Sequence, residues 1–194
     1  MTFLSAPQVD DEVQAMYDGD VAQMGFVMNL SGVWAHLPDA HHRVMDQLDA
    51  AAAEAGLSFV ERGILVLATA STIGDSYCSL AWGRKVTDKA GADVARAVLA
   101  GDDGPLDDRQ RALATWARKV AGASGRTAAG DVEALRAAGF DDAQVVAVTV
   151  FVAQRMAFST VNAALGAAPD QELGETVDPA VRATVTWGRP VASG

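Results

Sequence analysis

Residues 141–165 read DDAQVVAVTVFVAQRMAFSTVNAAL, and the expected fold class follows from this segment. Asp141 is a strong helix N-cap, and Gly166 and Pro169 end the run. Between these ends, apolar residues occur on almost every side of a helix. A helix of this kind is buried, so we expect it at the centre of a helical bundle or at a subunit interface.

The rest of the chain shows the same helical punctuation and almost no strand-like alternation. Ser58 and Glu61 have the spacing of a capping box, and Gly56 and Gly74 are placed as helix-ending glycines. Abundant alanine also favours helix. The sequence therefore predicts an all-α fold with one helical domain over residues 1–169.

The composition changes near the C-terminus. Residues 170–194 contain Pro179, Gly188 and Pro190, which disfavour a continuous helix. We predict an extended tail here, and we expect it to pack on a neighbouring subunit.

The composition also argues against several classes of function. Of the 194 residues, 50% are hydrophobic and 21% are charged, which is typical of a folded globular protein. A formal net charge of -10 opposes binding to nucleic acid and to anionic membranes. No apolar run reaches transmembrane length, and residues 1–10 lack the basic and apolar parts of a signal peptide. We therefore expect a cytoplasmic protein.

Cys78 is the single cysteine, so it cannot form a disulfide within the chain. We predict that it lies in the first turn of a helix whose N-cap is Asp75. Free backbone amides at a helix N-terminus favour a thiolate, whereas a neighbouring carboxylate opposes it. Two interpretations stay open: a buried cysteine that packs like alanine, and a reactive nucleophile.

A candidate pocket surrounds this cysteine. Trp82 lies four residues beyond it on the same helical face, and Tyr77 directly precedes it. Arg155 interrupts an otherwise apolar helix. Either it emerges at the surface, or it pairs with an acid at a pocket or interface, for which Asp75 and Glu61 are the candidates. We predict that Asp75, Tyr77, Trp82 and Arg155 line a pocket for a small-molecule substrate, although core packing is the simpler interpretation of Trp82.

Neither a metal nor a cofactor is expected. His41 and His42 are adjacent, so on a helix they point in different directions, and we expect His36 and His41 at the surface or at an interface. No cluster of His, Cys, Asp and Glu has the spacing of metal ligands. Phosphate loops, nucleophile elbows and dinucleotide fingerprints are also absent from the sequence, so NAD and ATP are not expected.

Two segments resemble a known family. The first runs from Gly25-Phe26-Val27 through Pro38 and continues with Leu57-Ser58, Glu61-Arg62 and Gly74-Asp75-Ser76-Tyr77-Cys78. The second is Leu135-Arg136-Ala137-Ala138-Gly139-Phe140-Asp141-Asp142, and Ala164-Leu165-Gly166 follows it after the apolar helix. In this order, over residues 10–170, they resemble the peroxidase-related branch of the carboxymuconolactone decarboxylase/AhpD-like superfamily. The resemblance implies an all-helical bundle and a homo-oligomer, either a trimer or hexamer as is usual in the family or a dimer.

Redox-active members of this superfamily carry a four-residue motif. A Cys-x-x-Cys pair begins a helix. A His lies four positions after the second Cys, and a Glu lies fifteen positions before that second Cys. The resemblance places the second Cys at Cys78, the first at Asp75, the His at Trp82 and the Glu at Gly63. One of the four chemical groups is therefore present.

The resemblance leaves three functions open. The first is a one-cysteine thiol peroxidase or oxidoreductase with weakened or lost activity, in which Cys78 attacks a peroxide and an external thiol reductant restores it. The second is a non-redox member that binds or converts a small organic acid or ring compound, as the decarboxylases of the superfamily do. The third is a non-catalytic oligomeric relative.

Overall fold

A computed structural model describes residues 2–122 and 127–193, and these residues form helices and no strand. The all-α prediction is confirmed. In chain order the helices are α1 (Asp11–Met24), α2 (Asn29–Trp34), α3 (Pro38–Glu54), α4 (Phe59–Ile73), α5 (Ser76–Ala90), α6 (Ala92–Ala100), α7 (Asp108–Gly122), α8 (Ala129–Ala137), α9 (Asp142–Ala164), α10 (Gln171–Thr176) and α11 (Pro179–Thr184).

Side-chain caps set several of these helix starts. Ser58 Oγ accepts a hydrogen bond from the Glu61 N–H at 3.3 Å, and Glu61 Oε2 accepts one from the Ser58 N–H at 2.7 Å. Asp141 Oδ1 accepts from the Gln144 N–H at 2.8 Å in the same way. The predicted capping box at the start of α4 and the predicted cap of α9 are both confirmed.

The centre of the bundle is α4, which packs against α5, α6, α7 and α9. Residues 63–70 of this helix are all buried. α9 packs one face against α3, α4, α7 and α8, whereas Val146 on its other face is 63% exposed. The prediction that α9 lies at the centre of the bundle is therefore wrong. The hydropathy of a helix does not distinguish full burial from an apolar outer face. The interface position stays a prediction.

The length of α9 corrects a second expectation. It has 23 residues and, by length and composition alone, is apolar enough to cross a membrane, although the sequence analysis found no such run. Its charged residues are Asp142 at the start and Arg155 in the middle. Of its apolar window, 44% is buried inside the bundle.

The C-terminal residues do not form one extended tail. Asp178 caps α11 by accepting a hydrogen bond from the Val181 N–H at 3.2 Å, and Pro179 occupies the first helical position, where no N–H is needed. Val181 is fully buried, and α11 packs against α5 and α6 of the same chain. The extended tail predicted over residues 170–194 is therefore wrong for α10 and α11, while residues 185–193 are non-helical. Packing on a neighbouring subunit stays a prediction.

Candidate functional site

Cys78 is the third residue of α5, in the helix turn where the sequence placed it. Asp75 is the N-cap, and its Oδ1 accepts a hydrogen bond from the Cys78 N–H at 3.0 Å. Gly74 ends α4 immediately before, in the left-handed conformation with φ 74°. The Cys78 side chain is 3% exposed, so its sulfur is shut off from solvent in this conformation.

Polar side chains from α9 reach this sulfur. Arg155 Nη2 donates a hydrogen bond to Cys78 Sγ at 3.1 Å, and Ser159 Oγ donates a long one at 3.8 Å. Asn162 continues the row three residues further, because residues spaced by three and four share a helix face. The Asn162 side chain is held in place by Trp34, whose Nε1–H donates to its Oδ1 at 2.8 Å. All three α9 side chains are buried.

Arg155 carries a buried charge that has no carboxylate partner among the described residues. It is 6% exposed, and no Asp or Glu oxygen in residues 2–122 or 127–193 lies within 4.0 Å of its nitrogens. Its Nε has no hydrogen-bond partner. Of its two expected partners, Glu61 binds Arg109 at 2.7 Å and Asp75 caps α5. The expected ion pair is therefore wrong, because each carboxylate is held at the helix N-terminus that it caps.

The pKa of the Cys78 thiol is raised to about 12. Burial is the largest cause, and the negative charge of Asp75 adds to it. Arg155 and the Ser159 hydroxyl act in the opposite direction without cancelling these effects. At neutral pH the thiol is therefore protonated and lies between one carboxylate and one guanidinium.

Trp82 packs against α4 and lies beside the polar row, because Arg155 Cζ is 6.0 Å from its ring centre. Its ring centre is 5.6 Å from that of Phe59, and Lys85 Nζ lies 5.2 Å from it. A Cβ atom added to Gly63 would overlap Val86 Cγ2 and would lie 3.4 Å from Trp82 Cε3. The two helices approach each other at this glycine, so a larger side chain at position 63 does not fit.

Tyr77 ties α5 to two remote parts of the chain. It is 2% exposed, and its hydroxyl donates to Asp170 Oδ2 and accepts from the Leu30 N–H at 3.4 Å. Asp170 Oδ1 also accepts from the Asn29 N–H at 2.6 Å. Burial and the adjacent Asp170 charge raise the pKa of Tyr77, so it stays a neutral phenol. Its hydroxyl has a structural role, and no sequence signal marked Asp170 as its partner.

A cavity of about 220 Å³ lies beside the first turn of α5. Asp75 and Tyr77 line it, whereas Cys78, Trp82 and Arg155 are not among its lining residues. The other lining residues come from the α4–α5 junction, the end of α9 and the C-terminal segment: Gly74, Ser76, Asn162, Ala163, Ala167, Gly188 and Arg189. Of the predicted site residues, Asp75 and Tyr77 therefore line the cavity, while Arg155 contacts Cys78 and has the Trp82 ring centre 6.0 Å away.

The histidines differ from expectation at one position. His41 is partly buried against the Trp34 and Phe158 rings, at 5.6 and 6.2 Å between ring centres, and burial lowers its pKa to about 4. His42 meets Glu12 and Asp39 in an exposed cluster of metal-ligand type, which sequence spacing did not reveal because Glu12 lies on another helix. His42 Nδ1 lies 3.5 Å from the Glu12 carboxylate, and Asp39 pairs with Arg43.

Comparison with solved structures places this architecture. The chain is similar to an uncharacterized peroxidase-related protein from Ralstonia eutropha JMP134, described as an alkylhydroperoxidase AhpD core, with a TM-score of 0.74 and 27% identity over 89% of this chain and 94% of that one. It is also similar to a peroxidase-related protein from Silicibacter sp. TM1040, with a TM-score of 0.72 and 25% identity over 89% and 93% of the two chains. These two similarities support an AhpD-like superfamily for this chain.

A more distant neighbour, 14% identical, shows the fold alone. The debrominase Bmp8 matches with a TM-score of 0.71 and 14% identity over 94% of this chain and 96% of that one. A cysteine-to-alanine variant of that debrominase was solved in complex with 2,3,4-tribromopyrrole, with a TM-score of 0.69 and 14% identity over 94% and 95% of the chains. No family model and no curated protein matches this chain.

Within this AhpD-like fold, two of the departures from the redox motif fit each other. The resemblance assigns the Glu position to Gly63 and the His position to Trp82, and the indole of Trp82 lies against Gly63. The space between these helix faces is filled by packing, so a proton acceptor for Cys78 has to come from another residue.

Proposed function

We propose that the protein is an AhpD-like thiol oxidoreductase in which Cys78 alone reacts, with a small hydroperoxide as oxidant. The observation that supports this best is the hydrogen bond of 3.1 Å from the buried Arg155 guanidinium to Cys78 Sγ. The cost of burying the Arg155 charge is the reason that this contact supports a reactive sulfur.

An arginine side chain costs several kcal/mol to bury unless an anion compensates its charge. A neutral sulfur is only a weak hydrogen-bond acceptor. Since no described carboxylate lies within ion-pair distance of Arg155, the thiolate or sulfenate of Cys78 is the anion that this guanidinium stabilises. Such a group matters most during reaction, when charge develops on the sulfur.

The proposed reaction uses Asp75 as the proton acceptor. Its carboxylate takes the Cys78 proton, the sulfur attacks the outer oxygen of the hydroperoxide, and the O–O bond breaks. The leaving alkoxide takes the proton from Asp75, which gives an alcohol and a Cys78 sulfenic acid. One external thiol then forms a mixed disulfide and releases water, and a second external thiol releases the Cys78 thiol and a disulfide. The external thiols are required because the chain has a single cysteine.

The raised pKa of the Cys78 thiol leaves little reactive thiolate in the protein before a hydroperoxide binds. With a thiol pKa of about 12, roughly one molecule in 10⁵ carries a thiolate at pH 7. Removal of the proton by Asp75 after the hydroperoxide has bound avoids this limit, because the proton acceptor then acts inside the site. We therefore expect low turnover compared with a peroxidase that keeps its thiolate ready.

Replacement of the sulfur tests the proposal. Cys78→Ser should abolish the thiol-dependent consumption of tert-butyl hydroperoxide, and dimedone should label Cys78 in the wild-type protein after one equivalent of peroxide. Arg155→Met should lower kcat/KM about tenfold or more, since hydrogen bonds to charged groups contribute about 1.5–3 kcal/mol. Unchanged turnover in Cys78→Ser would reject the mechanism.

A second candidate is a non-redox protein that binds a small organic acid. It is favoured by the unpartnered Nε of Arg155, which a carboxylate ligand would satisfy. The debrominase neighbour, solved with a small ring compound, supports a ligand of this size within the same fold. Calorimetry with benzoate separates the candidates: binding that Cys78→Ser keeps and Arg155→Met loses, without any peroxide turnover, would favour the second.

A further inference from the structure

We infer that the 220 Å³ cavity beside α5 is the binding site for a small, uncharged hydroperoxide that reacts at Cys78. We also infer that residues 185–191, the strap, which line the cavity through Gly188 and Arg189, move aside to admit this ligand. The inference rests on the proposed function, because the ligand class follows from a reactive sulfur. It adds where the oxidant binds and which segment controls its access.

The cavity walls select a small and neutral ligand. Its volume lies below the roughly 300 Å³ at which sites for drug-sized ligands begin, and well above the roughly 15 Å³ that one water needs. Ala163, Ala167, Gly74 and Gly188 give much of its lining a small apolar character. The carboxylate of Asp75 disfavours an anion in the same space.

Two polar atoms of the lining residues lack a partner. They are Asp75 Oδ2, an acceptor, and Asn162 Nδ2, a donor on a side chain that is 2% exposed. The orientation of the Asn162 amide is fixed, because its oxygen accepts from the indole N–H of Trp34, which can only donate. A hydroperoxide offers an O–H donor and an acceptor oxygen on adjacent atoms, which are the two kinds of partner that these atoms lack.

The cavity and the sulfur share walls. Asp75 lines the cavity, and its other oxygen accepts the Cys78 N–H at 3.0 Å. On the α9 side, Ser159 lies about one helical turn before Asn162, and its Oγ is 3.8 Å from Cys78 Sγ. A ligand between Asp75 and Asn162 therefore lies beside residues that contact the reacting sulfur or its backbone amide.

Few polar contacts hold the strap over α5. Ser76 Oγ donates to the Arg189 carbonyl at 2.7 Å, and Trp187 Nε1 donates to Ser79 Oγ at 3.3 Å. Arg189 Nη2 donates to the Ala163 carbonyl at 3.1 Å. Gly188 lies so close to α5 that an added Cβ would be 2.7 Å from the Gly74 carbonyl oxygen. This contact needs a glycine, which also has φ 73°.

Open space lies on both sides of the strap. A second cavity of about 430 Å³ separates it from the α11 side, and Ser76, Gly188 and Arg189 line both cavities. The strap residues are all exposed or only partly buried. Val185, Trp187 and Val191 pack against the core, but no strap residue is fully buried. The strap therefore opens at a lower free-energy cost than the buried helices, so it is the wall that moves when a ligand enters.

Alkylation of Cys78 by N-ethylmaleimide at pH 8 tests the strap without any peroxide. Trp187→Phe removes one hydrogen bond and should raise the rate about three- to tenfold. Gly188→Ala forces the strap away from α5 and should raise it about tenfold or more. Gly101→Ala is the matched control, because that glycine has φ 77° and no atom within 4 Å of an added Cβ, so its rate should stay unchanged.

A second measurement tests the ligand. Asn162→Asp keeps the acceptor for Trp34 and replaces the free donor by a charged acceptor, so KM for tert-butyl hydroperoxide should rise about tenfold. Circular dichroism shows whether each variant keeps its helices, and Trp187→Phe, which adds no steric clash, tests the strap if Gly188→Ala fails to fold.

The outcomes separate the two proposals. Unchanged alkylation in both strap variants, with normal wild-type turnover, rejects the strap as the wall and leaves the proposed function. An unchanged KM in Asn162→Asp rejects the cavity as the hydroperoxide site. Faster alkylation in the strap variants without any wild-type peroxide turnover rejects the proposed function and, with it, the hydroperoxide as ligand.

Discussion

The protonation state of Cys78 follows from its immediate neighbours. Burial and the Asp75 carboxylate both favour the neutral thiol, while Arg155 favours the anion. Lys85 is a second cation that interacts with Cys78. Burial and the Asp75 charge together outweigh the attraction of the cations for a thiolate, which explains why the resting thiol keeps its proton.

This balance predicts how stability depends on pH. The folded-state pKa of Cys78 is raised from 9.0 to about 12, so the stability that the thiol contributes is fully present below about pH 9 and is lost as the pH rises towards 12. The free energy of unfolding of the wild type should therefore fall relative to Cys78→Ser by about 1.4 kcal/mol for each pH unit in this window. Urea unfolding of both proteins at pH 8, 9, 10 and 11 measures the difference, and a difference that stays constant would contradict the raised pKa.

Residues close in sequence to Cys78 could be predicted, and residues far from it could not. The Asp75 cap follows from the spacing of a capping side chain and the third helical residue. The contact between Arg155 and Cys78 joins positions 77 residues apart, and the sequence pointed instead to two carboxylates as partners of Arg155. Tyr77 was predicted to be near the site, but its partner Asp170 lies 93 residues away.

The close approach of α4 and α5 depends on one glycine. A Cβ at position 63 would overlap Val86 Cγ2, so Gly63→Ala should lower the free energy of unfolding by about 1–3 kcal/mol. Val86→Ala removes the overlapping atom, so the double variant should lose less than the sum of the two single losses, with a coupling of about 0.5–3 kcal/mol.

Thermal or urea unfolding of the four proteins measures this coupling. Gly19→Ala is the control, because that glycine lies in α1 with no atom within 4 Å of an added Cβ. It should stabilise the protein by up to about 1 kcal/mol through helix propensity. Additive losses for Gly63→Ala and Val86→Ala would show that the two positions do not share the contact.

Helix existence was more predictable than helix position. Caps at Ser58, Asp75 and Asp141 mark helix starts because they act through local hydrogen bonds. The sequence could not show that α4 rather than α9 lies at the centre of the bundle, since both helices are apolar and their burial depends on packing. Pro179 suggested an end of helical structure, yet it begins α11, because a proline at the first helical position costs no hydrogen bond.

At the scale of the whole molecule, the site is assembled from three remote segments. The start of α5, the buried polar row of α9 and the strap meet around one cavity, with Asp75, Asn162 and Gly188 contributed by different parts of the chain. No sequence spacing connects them, so the cavity could not be predicted. Tyr77 and Asp170 fix the start of α5 against the segment that leads into the strap, which couples the cavity wall to the bundle.

The outer face of α9 bears on assembly. Val146, Ala153, Ala157, Thr160 and Ala164 are exposed, and their spacing of three, four and seven residues places them on one side of the helix. Between Val146 and Ala164 this side has no charge, although the chain as a whole carries -10, so it is the face where two copies can approach with the least repulsion.

We therefore expect self-association through this face, as a dimer, trimer or hexamer. Ala157→Glu places a charge on the face and should shift the protein towards the monomer in sedimentation velocity. Ala137→Glu, on the exposed side of α8, is the matched control and should leave the distribution unchanged. A wild-type protein that sediments as a monomer at 100 µM would reject the expectation, since the apolar side of α9 would then face solvent without a partner.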